Sequence, residues 1–180
     1  MSRYGAVTFQ CFTHEQIKDL NIKIKKNIFQ KQDPSDASSY VSKIGKFFHV
    51  SCYSLMELIH PWLHQCQRVN REAFGYGIDW DFHLDILTYN VYGVEGEYGW
   101  HIDSGVKNSS VSDLKLTCMV NLSEKIYEGG EFYAINSNEK IKFTSGMGLV
   151  IPSFIAHKVT PITKGERIIL VYGALGPTWR

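Results

Sequence analysis

The sequence predicts an α+β fold: a double-stranded β-helix (jelly roll) of about eight antiparallel strands, backed by N-terminal helices. Three observations predict it. Apolar residues recur at helical spacing before about residue 80, and they recur every second residue in the clearest run beyond it. Short apolar runs in that second part are separated by pairs of turn-forming residues.

The first helix is marked by Thr13-His14-Glu15-Gln16, a capping box in which Thr13 is the N-cap and Gln16 reaches back. Ile17, Leu20, Ile24 and Ile28 follow at helical spacing, which predicts a helix over roughly 14–30. Asp33 to Ser39 is a loop by composition. A second helical region is expected over about 51–72, with Leu55, Leu58, Ile59, Leu63 and Cys66 as its buried stripe. Pro61 falls inside it and predicts a kink or a break. Then the period changes. Leu114, Leu116, Cys118, Val120 and Leu122 alternate with Lys115, Thr117, Met119 and Asn121, as in a strand. Further strands are expected near 84–92, 98–103, 131–135, 139–143, 147–151, 155–160 and 167–174. The turns between them include Gly129-Gly130, Asn136-Ser137-Asn138, Ser145-Gly146 and Lys164-Gly165. A jelly roll is the arrangement that leaves few of these strands with open edges.

The 180 residues are expected to form a single domain over 1–180, with 1–80 mainly helical support and 81–180 the jelly-roll core that carries the active site. Apolar residues make up 44% and charged residues 21%, enough for a buried core. A formal charge of +1 supplies no global field for nucleic acid or a membrane surface, and Lys23, Lys25 and Lys26 read as a solvated helix face. Cys11, Cys52, Cys66 and Cys118 are scattered without a C-x-x-C pair, which argues against a zinc site or a disulfide framework. Met1 to Gln10 carries no leader-like apolar run and no stretch is of membrane-spanning length, so a reducing cytoplasm is the expected location. Neither G-x-x-x-x-G-K-[ST] nor G-x-G-x-x-G occurs, so no nucleotide site is expected.

The chemistry concentrates in His101-Ile102-Asp103. On a strand, residues two apart share a face, so an imidazole and a carboxylate can reach one ion. H-x-D alone arises often by chance; a third donor is needed, and His157 on another expected strand provides it. Two His and one carboxylate leave three positions open on an octahedral ion, the arrangement of non-haem iron(II) oxygenases. Arg167 follows His157 by ten positions across a turn, and a hairpin there would face both into one cavity. A keto acid chelating the ion needs a fixed cation for its distal carboxylate, and arginine matches a carboxylate with a planar, always charged fork. The formal charges of iron(II), Asp103, 2-oxoglutarate and Arg167 then sum to zero, as a partly dehydrated cavity requires.

From about Leu87 to the end, the sequence resembles the prolyl 4-hydroxylase alpha-subunit-like branch of the iron(II)/2-oxoglutarate-dependent dioxygenases, in its small bacterial and phage form. The residues that carry the resemblance are Tyr89-Asn90-Val91-Tyr92, Tyr98-Gly99-Trp100-His101-Ile102-Asp103 and Tyr127-Glu128-Gly129-Gly130-Glu131-Phe132. They continue through Gly148-Leu149-Val150-Ile151-Pro152-Ser153 and the run from His157 to Arg167, and end at Gly176-Pro177-Thr178-Trp179-Arg180. The resemblance implies that His101, Asp103 and His157 bind Fe(2+) and that Arg167 binds the 2-oxoglutarate C5 carboxylate. It implies that Tyr92, or its near neighbour Tyr89, touches the co-substrate. The glycines of Gly129-Gly130-Glu131 read as backbone geometry and Glu131 as structural or as a support to the ligands. Tyr172-Gly173 departs from the tryptophan usual in the final strand of relatives, which bears on the pocket wall.

The implied reaction is hydroxylation of an unactivated C–H, most naturally of a peptidyl proline, with O2 consumed, 2-oxoglutarate converted to succinate and CO2, and ascorbate as a reductant. Related halogenases lack the carboxylate, so Asp103 points to hydroxylation. The substrate is expected to be a peptide, a protein or a small molecule, and the protein a monomer or homodimer. Alternatives are an oxygenase of nucleic acid or of free amino acids, or a non-catalytic jelly-roll binding module. Against nucleic acid, Ile168 to Gly173 lacks a second arginine after Arg167. His60 and His64 are spaced i, i+4 but flank Pro61 with no third ligand near; His14, His49 and His83 have no partnered pattern. Trp80, Phe82, Tyr98 and Trp100 suit a substrate groove or core packing alike.

Overall fold

The structure is a computed structural model, and it describes residues 5–32, 42–80, 86–104, 112–135, 137 and 139–178. Among these residues it contains two α-helices, α1 (His14–Asn27) and α2 (Met56–Val69). The strands are β1 (Val7–Gln10), β2 (Ile28–Gln32), β3 (Lys43–Ile44), β4 (Lys46–Ser51), β5 (Ile86–Tyr92), β6 (Glu97–His101) and β7 (Ser112–Asn121). They continue with β8 (Glu128–Gly129), β9 (Phe132–Ala134), β10 (Met147–Pro152), β11 (His157–Val159), β12 (Ile162–Lys164) and β13 (Arg167–Pro177). A major sheet runs in the order β1-β10-β7-β13-β5-β4-β2, a minor sheet in the order β3-β6-β11-β9, and β12 pairs with β8. All pairings are antiparallel. The expected class holds, as an open sandwich of two sheets with helices on one side; the sheets do not close into a barrel.

Helix α1 starts where the sequence places it. Gln16 N–H donates to Thr13 Oγ1 at 3.3 Å, and Thr13 N–H donates to Gln16 Oε1 at 2.9 Å, which satisfies two orphan donors of the first turn. Ile17, Leu20 and Ile24 are buried, and Lys25 and Lys26 sit in the last turn where cations suit the helix dipole. The helix stops at Asn27, earlier than the spacing predicts, because Ile28 turns extended and opens β2. Helix α2 runs through Pro61 as one piece, so the expected break does not occur. Pro61 and Glu57, whose carbonyl loses its usual partner, are both solvent-exposed, so water can replace the missing hydrogen bond. Its buried stripe is Ile59, Trp62, Leu63, Cys66 and Val69; Leu58 is on the exposed side. A π-helical turn, Asn70–Phe74, closes the helix at Gly75, whose φ of 70° places it in the left-handed region.

The first 80 residues are less helical than expected. They supply β1 to the free edge of β10 and β4 and β2 to the edge of β5, and so complete both flanks of the major sheet. Near 139–143 only an isolated bridge from Ile141 to Phe132 forms.

Central strand β7 explains how the site is walled. Lys115 to Asn121 are all buried, so the strand has a core on each face. Leu116, Cys118 and Val120 pack toward α1 and α2 with Leu87, Tyr89, Leu170 and Tyr172. Met119 packs on the other side with Leu149, Ile151, Ile169, Phe132 and Val159, between the two sheets. Thr117 and Asn121 share that inner face, so the polar half of the alternation points into the protein rather than into water.

Candidate active site

Two of the three expected metal donors come from directly paired residues. His101, at the end of β6, stands opposite His157, at the start of β11, and their rings lie 4.2 Å apart between centroids. Each imidazole is held by its other nitrogen: His101 Nδ1 lies 2.8 Å from Gly99 O, and His157 Nδ1 lies 3.0 Å from Ile155 O. A carbonyl only accepts, so both rings carry hydrogen on Nδ1 and turn a bare Nε2 inward. Tyr98 stacks on the His101 ring at 3.5 Å.

Asp103 lies beyond the end of the strand, in a bend rather than on the strand as expected. The backbone N–H groups of Asp103 and Ser104 both donate to Ser153 O, at 2.9 and 3.0 Å, and this fixes the bend. Its Oδ1 is 3.4 Å from His101 Nε2 and its Oδ2 is 3.6 Å from His157 Nε2. The three donor atoms lie within 4.8 Å of one another. Cis donors about 2.1 Å from an octahedral ion are roughly 3 Å apart, so a small inward closure would seat one. Thr117 Oγ1 donates to Asp103 Oδ2. Burial pushes the Asp103 carboxyl up, but the adjacent His101 and His157 and the hydrogen bond from the Thr117 hydroxyl outweigh it and hold it below the usual range. Burial pushes the His157 imidazole down, with Asp103 opposing. Both shifts favour the forms that ligate, a carboxylate and a neutral ring.

The expected hairpin between the strands of His157 and Arg167 does not form. β11 belongs to the minor sheet and β13 to the major one, with Pro161 and the β12 segment carrying the chain across. The two residues nevertheless line one cavity, of about 60 Å³, from opposite sheets. Arg167 is 2% exposed, its Nε has no hydrogen-bond partner, and among the described residues no carboxylate pairs with it. Burial pushes its pKa down, opposed by Tyr127 and Tyr92. Its guanidinium carbon lies 5.6 Å from the Tyr92 ring centre and 5.7 Å from that of Phe143. Gly130, with φ of 62°, makes room for it: a Cβ there would stand 2.9 Å from Arg167 Cδ and 2.3 Å from Ile162 Cδ1.

Of the two tyrosines, Tyr92 lines this cavity and Tyr89 does not. Tyr89 is odd against Tyr92 along β5 and so faces the helices, where its hydroxyl donates to Asn21 Oδ1 at 3.0 Å. The expectation of a co-substrate contact from Tyr89 is therefore corrected. Burial raises the Tyr92 phenol to about 12. The Tyr172 departure also leaves the pocket wall untouched, since Tyr172 stacks on Trp80 in the helix-side core. Trp100 is on the outer face, under Lys158, and Phe82 and His83 lie outside the described residues. His60 and His64 stack on each other, and no metal cluster includes them among the described residues. Glu131 binds Lys140 and the Tyr133 hydroxyl, a surface role.

Sequence reasoning missed Thr117, Asn90, Asn121 and Tyr127. Asn90 lines the cavity, while Asn121 and Tyr127 stand behind Arg167. For Thr117 and Asn121 the signal was present in the polar positions of the β7 alternation. A larger cavity of about 850 Å³, bordered by Tyr127, Phe132, Phe143 and Lys142, contains none of the metal donors.

Comparison with known proteins agrees with this geometry. The family model of the 2OG-Fe(II) oxygenase superfamily matches residues 87–172, the stretch from β5 to β13 that holds every donor named above. Over that stretch the chain is similar to that superfamily. It is similar to a PKHD-type hydroxylase of Prochlorococcus marinus (strain AS9601), 29% identical over 173 residues, which are 92% of this chain and 75% of the relative. Other relatives of the same description align over 41–49% of this chain, and it spans only 34–41% of their length. Among solved structures, the viral collagen prolyl hydroxylase of Paramecium Bursaria Chlorella virus-1 superposes with a TM-score of 0.70 at 17% identity, over 95% of this chain and 96% of that one. A Trichoplax adhaerens prolyl hydroxylase in complex with a hypoxia inducible factor peptide fragment superposes with a TM-score of 0.63 at 17% identity, over 94% and 83%. The chain thus shares its fold with prolyl hydroxylases, and the matching superfamily implies Fe(2+) and 2-oxoglutarate. The donor set fits both. Two neutral imidazoles and a carboxylate suit iron(II), and a buried guanidinium lacking an anion suits the far end of a dicarboxylate. No helix among the described residues is long and apolar enough to cross a membrane.

Proposed function

We propose that the protein hydroxylates a prolyl side chain within a peptide, with His101, Asp103 and His157 as the iron ligands and Arg167 as the anchor of 2-oxoglutarate. One observation carries the reading. Three convergent donors and a carboxylate-free buried arginine line one cavity from opposite sheets. Iron(II) with 2-oxoglutarate bound supplies oxidation of an unactivated C–H by O2, with the co-substrate leaving as succinate and CO2.

The chain's own residues bind, orient and exclude water. Backbone carbonyls fix both imidazoles, Thr117 fixes the carboxylate, and Arg167 with Tyr92 fixes the distal end of the co-substrate. The aliphatic wall of Met119, Val159, Ile169 and Val171 keeps the cavity dry, which strengthens each of these charge contacts. Peptide and proline as substrate are supported by the relatives' descriptions and by the peptide held by the Trichoplax enzyme.

The test is a screen of proline-containing peptides, with free amino acids included, read by mass for one added oxygen and by succinate release. Substrate-dependent succinate is expected from the native protein and none from Asp103→Ala. Full activity in that variant would overturn the ligand assignment, and oxidation of free amino acids alone would overturn the peptide reading.

A further inference from the structure

His60 and His64 flank Pro61, and a helix broken there would throw the two imidazoles apart. Helix α2 is continuous across it. Residues four apart on an intact helix stand on one face, about 6 Å apart along the axis. The two rings keep that spacing, with centroids 6.1 Å apart and planes within 16° of parallel. Both residues are exposed, as is Pro61 between them. The backbone beneath them is held in place, since Ile59, Trp62, Leu63 and Cys66 of the same turns are buried in the core.

Such a pair can bind one ion through two ring nitrogens. Cis nitrogens about 2.0–2.1 Å from an ion stand roughly 3 Å apart. The rings reach this by turning about the side-chain bonds of two exposed residues, with no backbone movement and no buried group to displace. No third donor joins them among the described residues, so a bound ion keeps its other positions for water or for another chelator. The donors also select the ion. Two imidazoles without a carboxylate suit Cu(II), Ni(II) and Zn(II), with Cu(II) held most tightly, and offer little to magnesium or calcium. The set of His101, Asp103 and His157 differs on both counts: it includes a carboxylate, and it borders an interior cavity of about 60 Å³.

We infer that His60 and His64 form a second metal site, on the surface of α2, for an imidazole-seeking divalent ion, Cu(II) ahead of Ni(II) and Zn(II). The inference is independent of the function proposed above. The unfolded chain does not hold the two rings together, so the ion favours the folded helix and clips one of its turns.

The test presents copper already chelated, as Cu(II)–nitrilotriacetate, to the tag-free protein. That complex has two neighbouring positions left for the pair, and it is too large for the cavity of about 60 Å³ beside the buried donors. Titration calorimetry reads affinity and stoichiometry, and copper EPR reads the number of nitrogen donors gained. The native protein is expected to bind one equivalent through two nitrogens. The second imidazole acts at high effective concentration, so His60→Gln and His64→Gln should each weaken binding roughly tenfold to a hundredfold. His14→Gln, which alters another exposed histidine, should leave it unchanged. Thermal unfolding without copper checks that each variant is folded. No binding by the native protein overturns the inference, as does binding that survives either substitution in α2 at equal strength, or that falls as far with His14→Gln.

Discussion

Replacing Arg167 by methionine should stabilise or spare the ligand-free fold while destroying co-substrate binding. The two effects have opposite signs for one physical reason. Arg167 is 2% exposed and has no carboxylate partner among the described residues, so its charge is buried at a cost of several kcal/mol. Part of that cost is offset by the ring faces of Tyr92 and Phe143 at 5.6 and 5.7 Å, together about 1–3 kcal/mol. Methionine keeps the length of the stem and removes the charge. The ligand-free variant should therefore lie between unchanged and about 3 kcal/mol more stable. With the co-substrate the balance reverses. Its distal carboxylate would lose its buried counter-charge, which costs about 3–5 kcal/mol, or roughly two to three and a half orders of magnitude in affinity. Urea unfolding of both proteins, with and without 2-oxoglutarate and Mn(II), reads both quantities. A variant that is several kcal/mol less stable without ligand, yet binds 2-oxoglutarate as tightly as before, would refute the reasoning.

Two further outcomes are expected. Thr117→Val removes the hydroxyl that donates to Asp103 Oδ2 while keeping the shape, and should weaken Mn(II) or Fe(II) roughly tenfold to a hundredfold in a chelator competition; Thr117→Ser should retain the affinity. Tyr92 is pushed up to about 12 by burial, so it stays protonated in the fold while the unfolded chain ionises near 10. The folded state then binds the extra proton, and stability must fall as pH rises from about 10 to 12. Tyr92→Phe should flatten that fall by about 2–3 kcal/mol in denaturant titrations at pH 8 and pH 11.5, and an unchanged slope would count against the burial argument.

Much of this was legible in the sequence because it is local or periodic. The capping box at Thr13 and Gln16 and the alternation of β7 each depend on neighbours a few positions away and appear where expected; the H-x-D triplet brings its two donors together, with Asp103 in a bend past the strand. What was not legible depends on which sheet a strand joins. The spacing from His157 to Arg167 fits a hairpin, yet the two strands lie in different sheets, because β13 finds its partners in β5 and β7. The strands hidden in the first 80 residues have the same cause: β1, β2 and β4 are edge additions whose register comes from distant partners. Tyr89 and Tyr92 could not be told apart until β5 had an inside and an outside. The roles of Thr117 and Asn121 stayed hidden for a related reason, since alternation reveals two faces and is silent on what covers each.

Placing the metal donors and the anchor on opposite sheets gives the site a ruler. Sheets packed face to face stand about 10 Å apart, held here by Met119, Leu149, Ile151 and Ile169 against Phe132 and Val159. A ligand that chelates at His101, Asp103 and His157 and also reaches Arg167 must bridge this gap. Its length is then set by core packing rather than by any residue that touches it. Had both elements formed one hairpin, the span would depend on local strand twist and would flex with it. Across a sandwich it changes only if the interior side chains change volume, which a close-packed core resists. On the proposed reading, selectivity for the length of the co-substrate would be a property of the apolar layer between the sheets, and selectivity for its charge a property of Arg167.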